Sequence, residues 1–88
     1  MVHSPAALTI TIKLFAVYRD CYGEDTQQRQ ISADTTVSDL LDQVLTEHPE
    51  LASWRSLTRF GVNCQFVPPD TVLQAGDEVV FIPPVSGG

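Results

Sequence analysis

The residues best suited to chemistry come last. Phe81-Ile82 is followed by Pro83-Pro84-Val85-Ser86-Gly87-Gly88, which ends on a Gly-Gly carboxylate. The two prolines fix φ and donate no backbone hydrogen bond, so a strand running into them is expected to stop at about Ile82 and the chain to continue extended. Residues 83–88 then form an expected functional tail with a reach of roughly 20 Å. Gly87 and Gly88 carry no Cβ, so the tip can thread a narrow channel and bring its carboxylate against a reacting phosphate or sulfur. An ordinary frayed terminus is the plain alternative.

Such a tail needs a rigid support, and the 88 residues upstream and within it suffice for one modest domain. With 43% hydrophobic residues the chain reads as globular. Its formal charge of −6 leaves only Lys13, Arg19, Arg29, Arg55 and Arg59 as cations, which argues against nucleic acid as a partner. Acidity suits a basic protein partner and equally serves solubility. Cys21 and Cys64 stand alone, with neither CxxC spacing nor a companion histidine motif, so no metal site and no redox pair is signalled. No apolar run approaches bilayer length and no signal-peptide core follows Met1, so a cytoplasmic protein without membrane contact is expected.

Along the chain, residues 1–7 read as a loose leader and 8–82 as the domain. Leu8, Ile10, Ile12 and Leu14 alternate with polar residues, the pattern of a strand buried on one face. Phe15, Val17 and Tyr18 break the alternation, marking the strand's end or an outward apolar patch. Residues 19–25 read as a loop and 26–31 as a second strand completing a hairpin. Thr36 with Asp39 makes a capping box, and Val37, Leu40, Leu41, Val44 and Leu45 fall on one helical stripe that ends near His48-Pro49. His48 reads as a helix-end residue. Leu51, Trp54 and Leu57 are expected to cap the core's open end. Residues 60–62 and 65–67 form a tight hairpin about Asn63-Cys64, with Cys64 at its tip. Ala75-Gly76-Asp77 is a turn, and residues 78–82, almost continuously apolar, read as a central strand buried on both faces.

The order strand, strand, helix, short strands and a final central strand describes an α+β sheet crossed by one main helix. It resembles the ubiquitin-like β-grasp fold. Phe15-Ala16 with Arg19-Asp20 and Gly23, the helix over 36–45, Val62-Asn63, and Leu73-x-x-Gly76-Asp77-Glu78-Val79 leading to Phe81-Ile82-Pro83-Pro84-Val85-Ser86-Gly87-Gly88 resemble the small sulfur-carrier subunits of molybdopterin synthase. The resemblance covers nearly the whole chain from Leu8. Its diproline sets it apart from the shorter, related thiamine sulfur carriers. It departs at Cys64, where a glycine is more usual.

The resemblance implies a carrier whose side chains catalyse nothing. A ubiquitin-activating-type adenylyltransferase would use ATP to adenylate Gly88, and a sulfur nucleophile would displace AMP to leave a thiocarboxylate. No cofactor would stay bound. The tail would then enter the large synthase subunit, within a heterotetramer, and give its sulfur to a cyclic pyranopterin phosphate. Pro83, Pro84, Val85, Ser86 and Gly87 would position Gly88. Phe15, Phe81 and Val85 are candidates for apolar partner contact, with core packing the alternative for Phe15 and Phe81; Asp77 and Glu78 are candidates for partner arginines, with a turn role the favoured reading for Asp77. A ubiquitin-like modifier joined through Gly88, a thiamine-type carrier and an interaction module with an inert tail are the rivals.

Overall fold

The computed structural model describes residues 7–84. Strand β1, Ala7–Lys13, alternates as its sequence demands, and Ile10 and Ile12 turn inward with Leu14 just beyond. It pairs antiparallel with β2, Thr26–Ser32, from Ala7↔Ser32 to Lys13↔Thr26. The link between them is not the expected loop. Residues Ala16–Tyr22 form a helix, α1, closed by Gly23 at φ 71°, whose N–H reaches the Arg19 carbonyl at 2.7 Å. Glycine is suited to that left-handed C-cap because it has no Cβ to clash. Tyr18, expected near a strand end or outer patch, is instead fully buried.

Helix α2, Val37–Glu47, starts at the expected capping box: the Asp39 N–H donates to Thr36 Oγ1 at 3.0 Å, and the Thr36 N–H donates to Asp39 Oδ2 at 3.1 Å. Val37, Leu40, Leu41 and Val44 lie buried on its inner stripe. A 3-10 segment, Pro49–Leu57, follows. It buries Leu51, half-buries Trp54 and leaves Leu57 about half exposed, so Leu57 does not cap the core. Proline at its start and short polar residues within it suit this tighter turn.

Strands β3, Arg59–Val62, and β4, Gln65–Val67, form the expected hairpin, and β5, Glu78–Ile82, completes a five-stranded sheet in the order β2-β1-β5-β3-β4. The last strand therefore lies at the centre, parallel to β1 and antiparallel to β3. Both helices and the 3-10 segment contribute to one core with Ile10, Ile12, Val79 and Phe81. Fully burying each such side chain contributes roughly 1.5–3 kcal/mol. Among the described residues no helix is long and apolar enough to cross a membrane.

The root of the C-terminal tail

The tail leaves β5, so its support follows from that strand's two faces. Val79 and Phe81 are completely buried, whereas Glu78, Val80 and Ile82 are only partly covered. This alternation corrects the expectation of a strand buried on both faces. It also corrects the assignment of Phe81 to a partner. Its ring packs against Tyr18, with centroids 5.6 Å apart, and meets Phe60 edge-on at 5.9 Å. Successive strand residues point to opposite faces, so Phe81 must follow Val79 inward.

Polar groups beneath Phe81 are satisfied. The Thr58 hydroxyl donates to the Trp54 carbonyl at 2.8 Å, which leaves Tyr18 as the donor to Thr58 Oγ1. Burial raises the Tyr18 phenol above its ordinary pKa, with the Thr58 hydrogen bond pulling the other way.

The outward residues make the surface that the sequence missed. Gly61, Cys64, Gln65, Phe66, Val80 and Ile82 line an open depression of about 160 Å³ beside the tail's root. Phe66 is 75% exposed. Gly61 permits this close packing, because a Cβ there would stand 2.7 Å from Val80 Cγ1. The only advance signal was strand parity: once Val79 and Phe81 face the core, Val80 and Ile82 cannot.

Phe15, 52% exposed, fits the expected outward patch. The parallel register ends at Lys13↔Val80, and its continuation places Phe15 level with Ile82. A second concavity, of about 350 Å³, runs along Lys13, Phe15, Arg19 and Asp25. On the other side of β5, exposed Arg59 pairs with Ile82 in the ladder. The root of the tail is thus flanked by apolar area with a cation on each side. Such a surface offers contact to a partner.

The two acidic candidates differ. Asp77 accepts from Asn63 Nδ2 at 2.9 Å and from the Gln74 N–H at 2.8 Å, so its carboxylate locks the Gly76 turn to the β3–β4 hairpin. That internal use bears out its reading as a turn residue. Glu78 is partly exposed and lies 3.6 Å from Lys13 Nζ, an ion pair that water weakens and a partner can exchange. Asn63 and Cys64 occupy the hairpin tip at φ 51° and 70°, the left-handed pair that joins two strands tightly. Cys64 is exposed there, as expected.

Pro83 is half-buried and Pro84 exposed, directly after the ladder ends at Ile82. Val85, Ser86, Gly87 and Gly88, named above as tail residues, lie outside the described residues. Away from this root, the fold gathers Cys21, His48 and Glu50, whose sulfur, nitrogen and oxygen atoms lie within 4.8 Å of one another. Spacing in sequence gave no hint of this, because the three belong to the ends of different elements.

Comparison with known proteins agrees with this architecture. A molybdopterin synthase sulfur carrier subunit from Chlamydomonas reinhardtii is 35% identical over 83 residues, covering 92% of this chain and all of that protein. The crystal structure of small archaeal modifier protein 1 from Haloferax volcanii superposes with a TM-score of 0.74 at 31% identity, covering 91% of this chain and 99% of that one. A protein–protein complex of subunits 1 and 2 of the molybdopterin-converting factor from Helicobacter pylori contains a chain matching at TM-score 0.58 and 23% identity, over 92% of this chain and 100% of that one, a likeness of fold. The fold is the ubiquitin-like β-grasp. The model of the ThiS family matches residues 12–88, from the end of β1 through the diproline to the last glycine, and the chain belongs to that family.

Proposed function

We propose that this protein is a sulfur carrier for molybdopterin synthesis, with Gly88 as the loaded residue and the outward face of β5 as its docking surface. The observation that carries the reading is the run of Gly61, Phe66, Val80 and Ile82 beside the strand that leads into Pro83-Pro84. An apolar patch at the base of a tail supplies affinity without occupying the reactive end. Likeness to the sulfur carrier subunit from Chlamydomonas supports the substrate class. The Helicobacter complex supports a large-subunit partner.

In this reading the Gly88 carboxylate attacks the α-phosphorus of ATP on an adenylyltransferase and pyrophosphate leaves. Hydrosulfide then adds to the acyl carbon, and AMP and a proton leave, so a poor electrophile becomes a stable thiocarboxylate. In the large subunit the thiocarboxylate sulfur bonds to a cyclic pyranopterin phosphate, and water then cleaves the acyl–sulfur bond, which leaves the sulfur on the pterin and returns Gly88 to a carboxylate. The carrier must dissociate to be recharged, which favours a modest apolar interface ringed by exchangeable charges such as Lys13, Glu78 and Arg59.

Intact mass spectrometry tests the chemistry. Incubation with ATP, an activating enzyme and a sulfur source should add about 16 Da, and because oxidation mimics that shift, fragmentation must place it on Gly88 rather than on Cys21, Cys64 or Met1. A tail unchanged beside a competent activating enzyme sinks the reading. The likeness to small archaeal modifier protein 1 favours a second reading, in which Gly88 is joined to amines on target proteins. A ladder of conjugates on a denaturing gel would establish it, and a thiocarboxylate form alone counts against it.

A further inference from the structure

Cys21, His48 and Glu50 come from three element ends: the last turn of α1, the C-cap of α2 and the first turn of the 3-10 segment. We propose that these three side chains form a transition-metal site of the zinc type, with Cys21 Sγ, His48 Nδ1 and Glu50 Oε2 as protein ligands and a water in the fourth position.

The geometry is that of a ligand set. Cys21 Sγ lies 3.6 Å from Glu50 Oε2, and His48 Nδ1 lies 3.3 Å from the same oxygen. Zinc bonds of about 2.3 Å to sulfur and about 2.0–2.1 Å to nitrogen and oxygen, arranged tetrahedrally, put neighbouring donors roughly 3.3–3.6 Å apart. The remaining pair, sulfur and imidazole, lies within 4.8 Å and closes the triangle. Without metal the same contacts are made by protons: the thiol donates to Glu50, which also meets His48 Nδ1. A divalent ion would replace the thiol proton and bind all three groups.

The donor chemistry points the same way. A thiolate, an imidazole and a carboxylate together suit zinc or cobalt, and disfavour magnesium or calcium, which take oxygen ligands. Cys21 and His48 are half-buried while Glu50 is exposed, which leaves a side open for water. His48 is held in orientation by Tyr22, whose ring meets it edge-on at 4.5 Å. Tyr22 in turn donates to Glu47, which Arg29 binds at 2.7 Å. The imidazole thus has a built support. The bound ion would tie α1 to the junction of α2 and the 3-10 segment, on the helical layer rather than on the open face of the sheet.

The test is a cobalt titration of the reduced, full-length protein. Tetrahedral thiolate ligation predicts a near-ultraviolet sulfur-to-cobalt charge-transfer band with visible d–d bands, saturating at equimolar metal and bleached by zinc. Cys21→Ser should abolish the charge-transfer band, and Cys64→Ser should leave it intact. His48→Gln and Glu50→Gln, which keep the thiol, should each weaken binding more than about tenfold, the least that loss of even a supporting partner costs at such sites. Zinc should raise the thermal midpoint of the wild type and of Cys64→Ser, and not that of Cys21→Ser. Three results overturn the site: no stoichiometric cobalt binding by folded wild type, a charge-transfer band that survives Cys21→Ser, or one lost in Cys64→Ser.

Discussion

Two faces of the same five residues do opposite work. On the inner face of β5, Val79 and Phe81 are sealed beneath Tyr18 and α2; on the outer face, Val80 and Ile82 stand with Phe66 beside Gly61. Both faces are apolar, so hydropathy alone cannot tell them apart. Their difference is that one has a helical layer over it and the other has none among the described residues. An uncovered apolar face on a small domain is where a partner gains most, because desolvating it needs no rearrangement.

Substitutions on the two faces should therefore separate stability from binding. Phe81→Ala removes a fully buried ring that touches Tyr18 and Phe60, and should cost about 3–5 kcal/mol in denaturant unfolding. A loss below about 1 kcal/mol would place Phe81 outside the essential core. Phe66→Ala and Ile82→Ala should do the reverse. Each is expected to weaken binding to the proposed large-subunit partner by about 2 kcal/mol or more in calorimetry while leaving the fold intact. Unchanged affinity in both would remove this face from the interface.

Smaller effects sharpen the contrast at the edges of each face. Cys64 holds φ 70°, a backbone state that costs a side-chain-bearing residue roughly 1–2 kcal/mol, so Cys64→Gly should raise stability by about 1 kcal/mol. A drop would mean that the thiol side chain contributes more than the turn's strain costs. On the helical side, burial works against the charge of Glu47, but hydrogen bonds from Tyr22 and Arg29 hold its carboxyl below the ordinary range. A lowered carboxyl stabilises the fold above its unfolded-state pKa, and that contribution disappears as pH falls through the lower native value. Glu47 is half exposed, so water screens the effect to no more than about 1 kcal/mol. Glu47→Gln should flatten the acid limb of the stability curve; parallel curves would show that the ion pair contributes nothing.

What was legible in advance follows from the range of the interactions involved. Period-two alternation in β1, the Thr36–Asp39 capping box and the Asn63-Cys64 turn are local, and each appeared where its residues indicated. Helix α1 was missed because its seven residues fall below the length at which a helix announces itself, and Val17 and Tyr18 favour strands. What holds it is tertiary: the burial of Tyr18 and the Gly23 cap. Phe81 stood between core and partner contact until strand parity was known, and Ile82 on the outward face was not singled out. Asp77 read as a turn residue or a contact, and only its distant partner Asn63 decides. The clustering of Cys21, His48 and Glu50 required the whole topology.

The strand that bears the tail is also the strand that closes the sheet. Because β5 is made last and inserts between β1 and β3, a nascent chain cannot complete its core until the segment next to the tail has emerged and paired on both sides. Presentation of the tail from a paired strand is therefore tied to completed folding. A chain truncated before Glu78 would lack β5 and with it both central ladders, so the segment that leads into Pro83-Pro84 is fixed in place only once the whole sheet has formed.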